Sequence, residues 1–315
     1  MIISASYRTD IPTFYGEWFM NRIRQGYCKI VNPYNRRISR IALDRSAVEG
    51  IVFWTKNVGP FLKHLAEVQA RGYPFILQHT INSYPRALES AVVDSARCID
   101  HLRRISEIYG PKVCVWRYDT IVDSSVTPLE FHLENFGKLA RHLEGAVDEV
   151  VVSFAHIYKK TLRNMNAAAE ETGFSWRDPS AIEKRRLLSQ LIDISRGHGI
   201  QLAVCSQPDY LVPGAVEARC VDADRLSKIA GKTIAAKIKG NRPDCKCFRS
   251  VDIGDYDTCP HGCVYCYAVL NRELALERHQ RHDPRAEFLF PPPQDSYEEE
   301  SESPPEEPTL FPLAD

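Results

Sequence analysis

Gly50-Ile51-Val52-Phe53-Trp54 runs into Thr55-Lys56-Asn57, and Pro74-Phe75-Ile76-Leu77 runs into Gln78-His79-Thr80, with a helix expected between them from about Pro60 to Arg71. Short apolar runs without polar alternation suit strands buried on both faces, as in a parallel sheet covered by helices. A helical crossover between two such strands points both carboxyl ends to one edge. The polar residues that follow each run therefore gather on that edge.

The same unit recurs on both sides. Upstream, Ile2-Ile3-Ser4-Ala5 precedes Ser6-Tyr7-Arg8-Thr9-Asp10 and a helix from about Phe14 to Gln25. Downstream, a helix from about Arg86 to Tyr109 leads to the strand Lys112 to Trp116, then Arg117-Tyr118-Asp119. A helix from Pro128 to Leu143 carries Leu129, Leu133, Phe136, Ala140 and Leu143 at helical spacing. The strand Glu149 to Phe154 opens into the basic segment His156 to Arg163, and a helix from Ile182 to Arg196, closed by Gly197 and Gly199, leads to the strand Gln201 to Val204 and Cys205. Six alternations predict an α/β fold, first a partial or complete (β/α) TIM-like barrel and second a doubly wound sheet. No Gly-x-Gly-x-x-Gly follows a strand, which weakens the dinucleotide-binding version.

On this reading the strand ends present Arg8, Asp10, Lys56, Asn57, Gln78, His79, Arg117, Asp119, Lys159 and Cys205. Arg117 with Asp119 is the favoured ligand-binding pair, because Arg holds a carboxylate by two points and Asp accepts from a ribose hydroxyl; a salt bridge between the two is the structural alternative.

The densest chemistry lies at Cys259-Pro260-His261-Gly262-Cys263-Val264-Tyr265-Cys266-Tyr267-Ala268. A redox pair needs two thiols and a closed zinc site four ligands; three thiolates on a cubane iron-sulfur cluster leave one iron open. Zinc with His261 or a further Cys as fourth ligand is the structural alternative. Cys205, Cys220, Cys245 and Cys247 form a second set, sufficient for an auxiliary iron-sulfur cluster or a zinc ion, with unligated thiols as the third reading. Cys28, Cys98 and Cys114 lie on apolar elements and read as buried small hydrophobes.

C-x3-C-x2-C with Tyr265 before its last Cys resembles the signature of radical S-adenosylmethionine (SAM) enzymes, and its wording is similar to that of the spore photoproduct lyase branch. From Ser6-x-Arg8-Thr9-Asp10 to this motif the chain also resembles an uncharacterised bacterial barrel family. The first resemblance implies a [4Fe-4S] cluster on Cys259, Cys263 and Cys266, reductive SAM cleavage to a 5'-deoxyadenosyl radical, and a flavodoxin or ferredoxin as electron donor. It places Arg8, Asp10, Lys56, Gln78, His79, Arg117, Asp119 and Tyr265 around the cofactor, with a nucleic-acid or nucleotide lesion, hence DNA repair, among the substrates. The motif follows the sixth strand rather than the first, which implies a circularly permuted barrel, and the Gly-Gly-Glu segment of that family has no counterpart. The rival reading is a zinc-stabilised nucleic-acid-binding barrel protein without redox chemistry.

Composition sets the outer bounds. The net charge of -1 divides into an acidic end, residues 286–315 with nine Asp or Glu and no Lys or Arg, and residues 1–285 with 40 basic against 32 acidic residues. A basic body is compatible with an anionic substrate. The start lacks the pattern of a signal peptide and no apolar run spans a membrane, so the reading places the protein in the cytoplasm with reduced thiols. Residues 1–285 are expected to form the barrel, with a cysteine-rich cluster-binding segment at 205–268. Residues 286–315 are expected to form a disordered acidic, Pro-rich tail whose Leu310-Phe311 tip faintly resembles sliding-clamp ligands.

Overall fold

The computed structural model describes residues 1–33, 35–240, 242 and 244–292. In chain order the elements are β1 (Ile2–Ala5), α1 (Ile11–Phe14), α2 (Gly16–Gln25), β2 (Tyr27–Val31), β3 (Ile38–Ala42), β4 (Gly50–Thr55), α3 (Leu62–Ala70), β5 (Phe75–Thr80), α4 (Ser95–Tyr109), β6 (Cys114–Ile121), β7 (Asp123–Ser124), α5 (Leu129–Leu143), β8 (Glu149–Phe154), α6 (Lys159–Thr172), β9 (Trp176–Arg177), α7 (Ala181–Gly197), β10 (Gln201–Val204), β11 (Val216–Glu217), α8 (Ala223–Ala230), β12 (Ser250–Asp252) and α9 (Arg272–Gln280).

Eight strands form one sheet in the order β11-β10-β8-β6-β5-β4-β1-β12, and each of its pairings is parallel. The α/β expectation holds in this form, and the sheet is not closed: among the described residues β11 and β12 are its two edges. β2 and β3 form a separate antiparallel hairpin. One face of the sheet, with Ile3, Ile51, Phe53 and Leu77, packs beneath helices that contribute Trp18, Phe19, Leu102 and Phe136. The other face, with Ile2, Val52, Ile76, Val115, Val151 and Ala203, is covered by the segment that holds α8, through Leu226, Cys220 and Phe248.

Local sequence explains most boundaries. Asp10 caps α1, and Ser180 with Glu183 forms a complete capping box on α7. The helix expected from Arg86 begins only at Ser95, where Asp94 accepts from Ala96 N at 2.8 Å. Residues 85–91 instead lie along the cysteine loop, with Val264 N donating to Leu88 O at 3.1 Å and Ala91 N to His261 O at 3.0 Å. The basic segment after β8 continues as α6, a helix absent from the periodicity reading.

The body also runs past residue 285. Trp18 Nε1 donates to Ala286 O at 3.0 Å, Lys29 N to Glu287 O at 2.9 Å, and Leu289 is buried. Residues 293–315 of the expected tail, with Leu310 and Phe311, lie outside the described residues. Among those described, no helix is long and apolar enough to cross a membrane.

Candidate functional site

Because the sheet is parallel, the segments after β1, β4, β8 and β10 and the last residues of β5 and β6 meet at one edge. There they line a cavity of about 260 Å³ together with the loop after β12. Arg8, Asp10, Lys56, Arg117, Asp119 and Tyr265 line it, as do Cys259, Cys263 and Cys266 and also Cys205, Cys220, Cys245 and Cys247. The two cysteine groups come from opposite edges of the sheet, one beside β10 and β11 and the other after β12, and face the same space.

The loop carrying Cys259, Cys263 and Cys266 is fixed from several sides. Asp10 Oδ2 accepts from Lys56 N at 2.7 Å and pairs with His261 Nε2 at 2.8 Å, while its other oxygen caps α1. Burial pushes this carboxyl up, but the His261 contact and the backbone N–H groups outweigh it and hold Asp10 below the ordinary range. Lys56 Nζ donates to Glu89 Oε1 at 2.8 Å and to Tyr265 Oη at 3.0 Å. Tyr265 Oη also donates to Glu89, and Asn82 Nδ2 donates to Glu89 at 3.0 Å. A buried carboxylate, an ammonium, a phenol and an amide thus lock the aromatic residue beside Cys266. Gly262 has φ +69°, and a Cβ there would lie 2.2 Å from Ser90 Oγ, so the loop turns where only glycine fits.

The loop after β1 is held by Asp252, fully buried on β12. Its oxygens accept from Ser4 Oγ at 2.7 Å, Ser6 Oγ at 2.6 Å, Tyr7 N at 3.0 Å and Gly254 N at 3.0 Å. Arg8 Nε lies 4.0 Å from the same carboxylate, and its guanidinium sits over Tyr7 and Tyr256.

Arg117 and Asp119 realise the salt-bridge alternative: Nη2 donates to Asp119 Oδ2 at 2.5 Å, and Ser153 Oγ donates to the other carboxylate oxygen. Both residues lie within β6 rather than beyond it. Arg117 Nη1 also donates to Cys220 Sγ at 2.9 Å. Gln78 and His79 do not line the cavity. Gln78 donates to Cys220 O at 2.8 Å and accepts from Arg117 at 3.2 Å, so it supports the wall from beneath. His79 is fully buried, neither ring nitrogen has a hydrogen-bond partner among the described residues, and burial pushes its pKa down to about 4. Strand alternation explains both: their side chains point through the sheet faces rather than off its end.

Cys205 Sγ stands 3.7 Å from Cys220 Sγ, and Val221 N donates to Cys247 Sγ at 3.4 Å. The Cys247 hydrogen bond outweighs burial and holds the Cys245 thiol down at about 7. In the other group burial pushes Cys259, Cys263 and Cys266 up. Among the described residues no three His, Cys, Asp or Glu side chains are gathered closely enough to hold one metal ion as they stand. Sequence reasoning missed Glu89 and Asn82 and did not single out Asp252 as a buried anchor. Asp252 takes three of its partners from residues 4–7, some 245 residues away, which no local pattern signals.

A parallel α/β protein with seven cysteines around one cavity at the strand ends is the class that fold and site define. The chain belongs to the family described as Domain of unknown function (DUF1848), which matches residues 2–268. No curated protein and no solved structure matches it. This corrects the membership implied by the cysteine wording: the matched family is not a radical SAM family, and the permuted barrel inferred from that membership falls with it. Ten residues of loop carry a ligand spacing, whereas the family match takes in every strand of the sheet.

Proposed function

We propose that this protein is an iron-sulfur enzyme in which Cys259, Cys263 and Cys266 hold a [4Fe-4S] cluster and S-adenosylmethionine occupies the adjoining cavity. The carrying observation is that these three thiols open onto a charged cavity at the strand ends, unlike Cys28 and Cys114, which are fully buried in the apolar core. Donor chemistry supports the fit: three thiolates satisfy three irons and leave the fourth to a small molecule. When bound, such a cluster supplies one electron at low potential for reductive cleavage of the sulfonium.

The chain's own residues position and shield. Asp10 and His261 clamp the loop at Cys259, and the network of Lys56, Glu89, Asn82 and Tyr265 clamps it at Cys266. Arg8 and Lys56 put positive charge on the cavity wall where a carboxylate would bind. Asp119, tied to Arg117 and Ser153, is the group for a ribose hydroxyl. Tyr267 Oη donates to Tyr7 O at 2.6 Å and Lys160 Nζ to Tyr267 O at 3.1 Å, which draws α6 and the loop after β1 around the cysteines and limits water access. The strand order supports reading the sheet as the wall of a partial barrel opened between β11 and β12, because the segments that follow its two edge strands line one cavity. A flavodoxin or ferredoxin would serve as donor, and the net positive body suits an anionic substrate such as a nucleotide.

The test compares wild type with the Cys259→Ala/Cys263→Ala/Cys266→Ala variant after anaerobic reconstitution. A loss of about four irons and four sulfides per chain, together with loss of 5'-deoxyadenosine formation from SAM under dithionite, is expected. Zinc without labile sulfide in the wild type sinks the proposal.

A further inference from the structure

We propose that Cys205, Cys220, Cys245 and Cys247 form a second, closed metal centre, a site for one thiophilic metal unit that all four thiolates saturate. Its ligands come from the end of β10, the segment after β11 and the loop before β12. This inference is independent of the reading of Cys259, Cys263 and Cys266.

Three observations carry it. The first is convergence: four thiols from three separate segments line one cavity, with Cys205 and Cys220 3.7 Å apart. Thiolates around a tetrahedral ion with metal–sulfur bonds of about 2.3 Å stand about that far from one another.

The second is the donor shell already aimed at sulfur. Arg117 Nη1 donates to Cys220 Sγ at 2.9 Å and Val221 N to Cys247 Sγ at 3.4 Å. Metal-bound thiolates keep negative charge and take such N–H donors in their outer shell. A buried guanidinium placed on sulfur has a clear electrostatic purpose when that sulfur is a thiolate.

The third is the shape of the loop. A Cβ at Gly240 would lie 2.2 Å from Cys245 O, so the backbone folds back on itself just before the two cysteines. Lys239 N donates to Cys247 O at 3.0 Å and Phe248 N to Val221 O at 3.0 Å, tying the loop at its far end. Cys245 remains partly exposed. Metal binding would draw Cys245 and Cys247 toward the Cys205–Cys220 pair, and four protein ligands would leave no position for substrate, so the centre would brace the cavity wall or pass electrons.

Zinc and an iron-sulfur cluster share this ligand chemistry, and the experiment separates them. Zinc, iron and sulfide per chain are measured in anaerobically reconstituted wild type, in the Cys205→Ser/Cys220→Ser/Cys245→Ser/Cys247→Ser variant, and in the variant lacking Cys259, Cys263 and Cys266. Loss of about one zinc in the fourfold variant alone, or of about four irons and four sulfides in the fourfold variant with a like amount retained in the variant lacking Cys259, Cys263 and Cys266, supports the proposal and names the metal. Metal content equal to wild type in the fourfold variant overturns it, as does a metal-free Cys205–Cys220 disulfide in the wild type. Should the fourfold variant not fold, iodoacetamide labelling of the loaded wild type decides. Cys245 and Cys247 should be protected until a chelator strips the metal, and labelling indifferent to the chelator counts against the centre. Iron that disappears only with Cys259, Cys263 and Cys266, with neither zinc nor iron lost in the fourfold variant, would uphold the proposed function while overturning this inference.

Discussion

Cys259, Cys263 and Cys266 arrive on one short loop, whereas Cys205, Cys220, Cys245 and Cys247 are delivered by three segments on the opposite side of the sheet. The short loop is clamped by buried ionic and polar groups: Asp10 with His261, and Lys56 with Glu89 and Tyr265. The dispersed group is held by backbone hydrogen bonds of Lys239, Val221 and Phe248 and by the guanidinium of Arg117. On the proposed function this loop leaves one position open to a small molecule, and rigid support suits it because nothing in its own ligand set closes the shell. A set of four ligands can complete its geometry when its metal arrives.

The comparison breaks most severely at Asp252. Asp252→Ala would leave Ser4, Ser6 and two backbone N–H groups without this acceptor and remove the carboxylate 4.0 Å from Arg8 Nε. Removing one side of such a buried charged network costs about 3–5 kcal/mol. Urea denaturation of the metal-free protein should show this loss, with Asp252→Asn clearly milder. A neutral result for Asp252→Ala would mean that the loop after β1 is not braced by β12.

Acid should weaken the fold without distinguishing the two groups. His132 is fully buried, bonded to Tyr118 Oη at 2.8 Å and Val122 O at 3.0 Å, and burial pushes its pKa from 6.5 down to about 4. A depressed pKa means that the unfolded chain takes up the proton first. Its contribution is therefore intact above pH 6.5 and lost as pH falls through about 4. Each pH unit in that window removes about 1.4 kcal/mol, about 3 kcal/mol in all for this one group. His79 and His156 are held down in the same way and should steepen the slope. Denaturation curves from pH 7 to 4 should be flatter in His132→Asn; an unchanged slope would remove His132 from the account.

How much could be read beforehand follows the same division. Apolar runs announced the six strands common to both accounts, and the spacing of Cys259, Cys263 and Cys266 was visible because those ligands are local. Glu89 was hidden because Leu88, Ala91, Val92 and Val93 look helical, while the backbone there pairs with the cysteine loop instead. The dispersed cysteines could be counted but not placed, since only the parallel sheet brings its two edges over one cavity. Arg117 and Asp119 line the cavity from within β6, and of the two readings the sequence left open for the pair, packing adopts the ion pair.

Two glycines sharpen the contrast directly. Gly262→Ala forces a side chain into φ +69° and against Ser90, and Gly240→Ala drives one into Cys245 O. Strain of this kind costs about 1–3 kcal/mol, so both proteins should fold. Gly262→Ala should lower iron held by Cys259, Cys263 and Cys266 and leave the other centre filled; Gly240→Ala should do the reverse. Metal analysis of the two variants side by side is the measurement. Equal losses in both would show that the groups are coupled rather than independently built.

The smallest effect belongs to a cysteine outside both groups. Cys28 is fully buried on β2 within the apolar core, and burial pushes its thiol up to about 12. It is not among the residues that line the cavity at the strand ends. Cys28→Ala removes one sulfur from a packed site, worth about 1 kcal/mol by the usual value for a buried methylene-sized group. Metal and sulfide content should match wild type, with only a slightly lower urea midpoint. If Cys28→Ala lost metal, burial in apolar packing would no longer separate inert thiols from ligands in this protein, and the assignment of the other seven would need a different physical basis.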